Sequence, residues 1–216
     1  MKAAAVIPVK RFGAAKARLA PGVDEERRRA LVAAMLSDVL EALQRSRMVD
    51  RMIVVTGEEE AAGLAAEAGA EVIDDPDDAG HSEAALRGVE GAVADGVRCV
   101  ALLPGDCPLL EPRELDGILT GVPDRYVAIV PDRHGSGTNA LILSPPHAIH
   151  PAFGEGSRER HVESARAAEI PYSVEEVPSL ALDLDTPADV LALTTALEFR
   201  SGSAPRTAKV LGLRVR

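Results

Sequence analysis

The chain has 216 residues, enough for one ordinary domain with a single substantial core, and its 46% hydrophobic and 27% charged residues are the balance of a folded soluble protein. A net charge of −10 argues against a protein that lives on nucleic acid, whose phosphates call for basic surface. No apolar run approaches the ~18 residues needed to span a bilayer.

The first predicted element is the short apolar strand AAAVIPV (3–9), too short and too basic behind for a signal peptide. A long amphipathic helix then starts at Asp24, a good N-cap with Glu25 and Glu26 in the first turn. Leu31, Met35, Val39 and Leu43 recur every fourth position along it, with Val32, Leu36 and Leu40 beside them. MIVVT (52–56) is the next strand, followed by an Ala-rich helix to about residue 68. AEVID (70–74) is a third strand, and a helix runs from about Ser82 to Asp95. VRCVALLP (97–104) reads as a buried strand that stops at Gly105-Asp106. A short helix (111–120), the strands YVAIVP (126–131) and NALILS (139–144), a helix (157–169), an extended segment (171–177) and a last helix (186–197) complete the series. Aromatic residues are only 2% of the chain, so Ala, Val, Leu and Ile have to build the core.

Continuous apolar strands alternating with helices predict a single-domain α/β fold, a mostly parallel sheet with helices on both faces. That architecture gathers ligands at the carboxyl ends of strands. The domain is expected over residues 1–198, with 199–216 a basic, Gly/Ser/Pro-punctuated extension that reads as flexible or loosely docked. Cys99 and Cys107 fit neither a disulfide framework nor a zinc site, and a reducing cytoplasm is expected.

The loops after strands carry the candidate chemistry. In LLPGDCPLL (102–110) Gly105 permits a tight or left-handed turn, so Asp106 projects from the sheet edge, as a metal ligand or as a cap for the helix near Glu111. In SLALDLDTPADV (179–190) Asp183 and Asp185 are two apart, so an extended segment puts both carboxylates on one side. They read as metal ligands or as exposed strand-end acids, while Thr186, Pro187 and Asp189 define a helix start. No acidic residue occurs from Met1 to Val23, yet PVKRFGAAKARLAP (8–21) carries Lys10, Arg11, Lys16 and Arg18. That loop is a candidate for neutralising a phosphate, or a solvated surface loop; it matches neither GxxxxGK[ST] nor GxGxxG. Gly135 and Gly137 precede Thr138 and Asn139, and Gly154 and Gly156 precede Ser157, a plausible N-cap whose helix start suits an anion. His81, His134 and His161 lack metal-like spacing and read as surface or supporting residues.

Together, IPVKRFGAAKARLAP, LLPGDCPLL, GSGTNAL, FGEGSRERH and LDLDTPADV resemble the guanylyltransferase family of deazaflavin coenzyme F-420 biosynthesis, whose members act on 2-phospho-L-lactate or phosphoenolpyruvate. The resemblance runs in order from about residue 3 to 197 and implies a nucleotide-diphospho-sugar-transferase-like fold. It implies magnesium on Asp106, Asp183 and Asp185, and acceptor contacts from Thr138, Gly154 and Ser157. It further implies nucleotide contacts from Pro8, Lys10, Lys16 and Arg18, with Lys16 and Asp106 acting in catalysis. The partners it implies are GTP, a phosphorylated three-carbon acid and the next transferase of the pathway, which would receive the product. Glu155-Gly156-Ser157-Arg158 departs from the family pattern by flanking its small residues with charge. The acceptor stays open among phosphoenolpyruvate, 2-phospho-L-lactate and 3-phosphoglycerate. Guanine recognition stays open too, with Glu83, Asp74 and Asp75 as acceptors to consider. Another transferase of the same fold, such as a glycosyltransferase using Asp183-Leu-Asp185 as a DxD, and a non-catalytic GTP-binding protein are the competing readings.

Overall fold

The computed structural model describes residues 3–13, 16, 24–200 and 202–213. Seven strands, β1 (Ala3–Val9), β2 (Val49–Thr56), β3 (Glu71–Asp74), β4 (Val100–Leu102), β5 (Tyr126–Pro131), β6 (Thr138–Ser144) and β7 (Tyr172–Val174), form one sheet in the order β3-β2-β1-β4-β6-β5-β7. The helices are α1 (Glu25–Gln44), α2 (Glu59–Glu67), α3 (His81–Ala94), α4 (Pro112–Leu119), α5 (Ser157–Ala167), α6 (Pro187–Phe199) and α7 (Pro205–Val210).

The mostly parallel expectation holds, with one reversal. β1 pairs parallel with β2 and β4, β2 with β3, and β5 with β7, whereas β6 runs antiparallel to both of its neighbours. Leu102 near the end of β4 faces Leu141, so the beginning of β6 emerges at the edge where β1 and β4 end. This reversal brings Thr138 and Asn139 to the same edge as the loops after β1 and β4.

Both sheet faces are covered, as the unbroken apolar strands require. Along β1, Ala3, Ala5 and Ile7 join the core under α1, while Ala4 and Val6 join the core under α3 and α5. Asp24 caps α1 by accepting from Arg27 N at 2.8 Å, and the predicted stripe of Leu31, Met35, Val39 and Leu43 is buried. On α3, Gly88 lies so close to β1 that an added Cβ would come within 2.2 Å of Val6 Cγ1, which explains a glycine inside a helix.

The expectation of a loosely docked tail is corrected for residues 202–213. α7 packs against α1, and the buried Asp38 carboxylate accepts from Thr207 N at 2.8 Å and Thr207 Oγ1 at 2.7 Å. Thr207 is itself fully buried. A buried carboxylate needs such donors, and the tail supplies them. Among the described residues no helix is long and apolar enough to cross a membrane.

Candidate active site

A cavity of about 580 Å³ opens at the sheet edge where β1, β4 and the start of β6 converge. Pro8, Lys10, Lys16, Asp106, Thr138, Gly154, Ser157, Asp183 and Asp185 all line it. These residues come from five separate stretches of chain, so the sheet topology has brought the sequence candidates together. Arg18 lies outside the described residues.

Asp106 follows β4 through Pro104 and Gly105, as the sequence suggests, but Gly105 is not left-handed. A Cβ there would rest against Leu36, Ile7 and Val9 at 3.4–3.5 Å, so the turn does not depend on glycine's freedom. Asp183 and Asp185 do not end a strand of the sheet. The segment nevertheless keeps the alternation: Leu180, Leu182 and Leu184 are buried, while the two carboxylates face the cavity. The segment is fixed at its end by α6, whose Thr186–Asp189 capping box forms as the sequence predicts. Asp189 Oδ2 also accepts from Asp185 N at 3.1 Å, and Arg133 pairs with Asp189 at 2.5 Å. Burial alone would raise the Asp189 pKa, but the hydrogen bonds from Thr186 and Asp185 and the Arg133 charge outweigh it and hold it below the usual carboxylate range.

Lys16 has a left-handed backbone (φ 58°), an uncommon conformation for a residue with a long side chain. Its side chain is only 7% exposed, and its ammonium pairs with Asp106 and, at 2.7 Å, with Asp185. Burial would lower the Lys16 pKa, yet the charges of Asp106 and Asp185 prevail and hold it above the ordinary lysine value. Asp183 has a different partner. Its Oδ1 accepts from Asn139 Nδ2 at 3.2 Å, and that amide also donates to Leu180 O at 2.7 Å. Burial first, and then the Asp106 charge, push the Asp183 pKa up, with the Asn139 hydrogen bond opposing them. Among the described residues no three acidic, histidine or cysteine side chains stand close enough together to hold a metal ion as they are. The Lys16 ammonium lies between two of the three carboxylates in question.

Thr138 and Ser157 also line the cavity. Pro131 pairs with Thr138 and Val130 with Ala140, which leaves Asn139 as the extra residue of a bulge. The bulge lets two consecutive residues, Thr138 and Asn139, both reach the cavity. Ser157 opens α5 after Gly156, whose φ of 69° is the left-handed conformation glycine adopts freely. Ser157 Oγ is buried and has no hydrogen-bond partner. Gly154 precedes it in the same loop, also at positive φ (110°).

Sequence reasoning named Asn139 only beside Thr138, assigned Arg133 no part, and read the histidines as surface or supporting residues without their contacts. His81 lines the cavity, His161 is fully buried, and His134 alone of the three is exposed at the surface. The phenyl ring of Phe153 stands edge-on to His81 at 4.9 Å and to His161 at 5.4 Å. Of the acids considered for guanine, Glu83, Asp74 and Asp75 lie away from this cavity, and Asp75 is buried beside Arg87 at 3.3 Å. Cys107 is buried too, and burial followed by the Asp106 charge pushes its thiol up, so it is no nucleophile at neutral pH.

Residues 3–201 match the model of a family described as Guanylyl transferase CofC like. The chain is 46% identical over 214 residues to the phosphoenolpyruvate guanylyltransferase of Conexibacter woesei, covering 98% of this chain and 96% of that one. It is 40% identical over 205 residues to the phosphoenolpyruvate guanylyltransferase of Sphaerobacter thermophilus, covering 95% of each. Among solved structures, it resembles a putative nucleotide-diphospho-sugar transferase from Desulfovibrio desulfuricans G20 with a TM-score of 0.77 at 18% identity, over 98% of this chain and 95% of that one. A nucleotidyl transferase from Methanothermobacter thermautotroptrophicus aligns with a TM-score of 0.64 at 21% identity, over 93% of this chain and 99% of the other. At these identities the two structures speak for the fold.

Proposed function

Because this chain belongs to the CofC-like guanylyl transferase family, we propose that it joins GTP to phosphoenolpyruvate, with 2-phospho-L-lactate as the alternative acceptor, releasing pyrophosphate in a step of deazaflavin coenzyme F-420 biosynthesis. The observation that carries this reading is one cavity in which lysines, three aspartates and hydroxyl donors meet at the strand ends.

Joining two polyanions is a problem of charge and placement rather than of proton removal. The acceptor's phosphate oxygen forms a bond to the α-phosphorus while the bond from that phosphorus to the leaving oxygen breaks, and pyrophosphate carries the electron pair away. The attacking group is already an anion, so no general base is required, in keeping with a buried, protonated Cys107. Lys10 and Lys16 neutralise the triphosphate, Lys16 exchanging a carboxylate partner for a phosphate. Thr138, Gly154 and Ser157 take the acceptor, where the Ser157 hydroxyl has no partner of its own.

Asp106, Asp183 and Asp185 would hold magnesium. The donor set fits: three carboxylates share the cavity with Lys16, and oxygen ligands suit a hard cation. A closed three-carboxylate cage is not required, since magnesium commonly takes one or two carboxylates together with phosphate oxygens. The ion, when bound, supplies positive charge to phosphate oxygens. The reaction belongs in the cytoplasm, and the product passes to the next transferase of the pathway.

The test is incubation of the purified protein with GTP, magnesium and each three-carbon acid in turn, following pyrophosphate. Release with phosphoenolpyruvate is expected. GTP binding without release for any acid would leave a sensor, and turnover of a nucleotide-sugar instead would favour a glycosyltransferase. Asp106→Asn and Asp183→Asn should both shift the magnesium dependence; near-wild-type rates at unchanged magnesium requirement would sink the metal assignment.

A further inference from the structure

His161 joins the two stretches of chain that form the acceptor wall. Its Nδ1 lies 3.0 Å from Thr138 Oγ1, and its Nε2 lies 2.9 Å from the backbone nitrogen of Ala152, just ahead of Gly154. We infer that His161 is a positioning residue that fixes the Thr138 hydroxyl as a hydrogen-bond donor to an anionic oxygen of the acceptor. The inference rests on the acceptor reading above.

The polarity follows from elementary donor and acceptor rules. A backbone N–H can only donate, so His161 Nε2 has to accept and carries no proton. In the neutral ring the proton then sits on Nδ1 and donates to Thr138 Oγ1. With its oxygen accepting from the ring, the threonine turns its own proton elsewhere, and no other partner of this hydroxyl occurs among the described residues. Thr138 lines the cavity, so that proton is offered to whatever binds there. A carboxylate or phosphate oxygen has lone pairs to receive it; a donor group of a ligand meets a site already turned against it.

Two further observations agree. Ser157 Oγ, on the first turn of the same helix as His161, is another buried hydroxyl of this cavity, and it has no hydrogen-bond partner among the described residues. The imidazole also stays neutral, because burial and then the Arg160 charge push its pKa down to about 4. A protonated ring would put an N–H against the Ala152 N–H and undo the arrangement.

The test separates the two ring nitrogens. An asparagine amide can place a donor where Nδ1 stands, whereas a glutamine amide can place an acceptor where Nε2 stands. With the wild type established as turning over phosphoenolpyruvate, His161→Gln is expected to raise KM for the acceptor about tenfold or more while KM for GTP stays within about twofold. His161→Asn is expected to restore the acceptor KM to within about threefold of wild type. Equal acceptor KM values in the two variants, or a shift that falls on GTP, would overturn the inference. Imidazole nitrogen–proton correlation spectra of the unmodified protein provide an arm that needs neither turnover nor a folded variant. A neutral ring protonated on Nδ1 at pH 7 is expected; protonation on Nε2, or on both nitrogens, refutes the inference outright. No turnover of any three-carbon acid by the wild type would instead strike the functional reading, and the spectrum would still decide which way the Thr138 hydroxyl points.

Discussion

Truncating Asn139 tests how the site holds Asp183. In Asn139→Ala the amide that donates to Leu180 O at 2.7 Å and to Asp183 Oδ1 at 3.2 Å is lost. The first bond is neutral and contributes about 1 kcal/mol; the second goes to a charged acceptor and contributes about 2 kcal/mol. Two facts reduce the sum. The Cys107 thiol still lies 3.5 Å from Leu180 O, so that carbonyl is not wholly orphaned, and water can reach the half-buried Asp183. A net loss of about 2 kcal/mol follows, which for a domain of this size is a fall in melting temperature of about 4–8 °C. Thermal unfolding followed by circular dichroism in metal-free buffer measures it. The same variant should require several-fold more magnesium for half-maximal pyrophosphate release, because an unsupported ligand binds more weakly. A melting temperature and a magnesium requirement both equal to wild type would refute the idea that Asn139 holds this carboxylate.

Three other outcomes are expected. His161 titrates near 4 when folded against an ordinary 6.5; a depressed pKa means the folded state binds fewer protons, so its stability is full above about 6.5 and lost as pH falls toward 4. Between pH 7 and pH 5 the wild type should therefore lose about 2 kcal/mol more than His161→Asn, and parallel denaturant curves at the two pH values would contradict this. Thr207→Val removes a hydroxyl donor from buried Asp38 and should lower stability by about 1–3 kcal/mol in urea unfolding, with earlier proteolytic cleavage after Phe199; an unchanged midpoint and cleavage pattern would show that α7 contributes nothing. Lys16→Ala should cut turnover more than about a hundredfold with an unaltered circular dichroism spectrum. Unchanged turnover would remove Lys16 from the mechanism.

What could be read from the sequence was local. The α1 stripe from Leu31 to Leu43, the Asp24 cap and the Thr186–Asp189 capping box depend on residues within a turn of one another. The alternation that turns Asp183 and Asp185 to one side is local as well, even though the segment is no strand. The reversal of β6 was not legible, because a buried apolar run looks the same whichever way it travels. The part of Asn139 was not legible because its exposure to the cavity comes from a bulge, a property of register between β5 and β6 rather than of either segment. The partners of His161 and Thr207 were not legible for the same kind of reason: they lie 23 and 169 residues away. The motif resemblance brought distant residues such as Asp106 and Ser157 into one site before any geometry was available, but it carried no sign of the groups that support them.

The reversed direction of β6 also bears on how the acceptor preference can change. Thr138 and Asn139 are not at the free end of a loop; they begin a strand whose seven residues are all buried, paired with β5 from Thr138 and with β4 from Leu141 onward. A backbone movement there would have to disturb the bulge and the pairing with β5. Gly154 sits instead in a connection held by side chains rather than by a strand ladder: His161 and Ser82 accept from the backbone N–H groups of Ala152 and Phe153, and Arg160 donates to the carbonyls of Ala152, Phe153 and Glu155. Divergence in acceptor size is therefore expected to accumulate in residues 152–156, by altered loop length and bulk, while the donor at position 138 stays where it is.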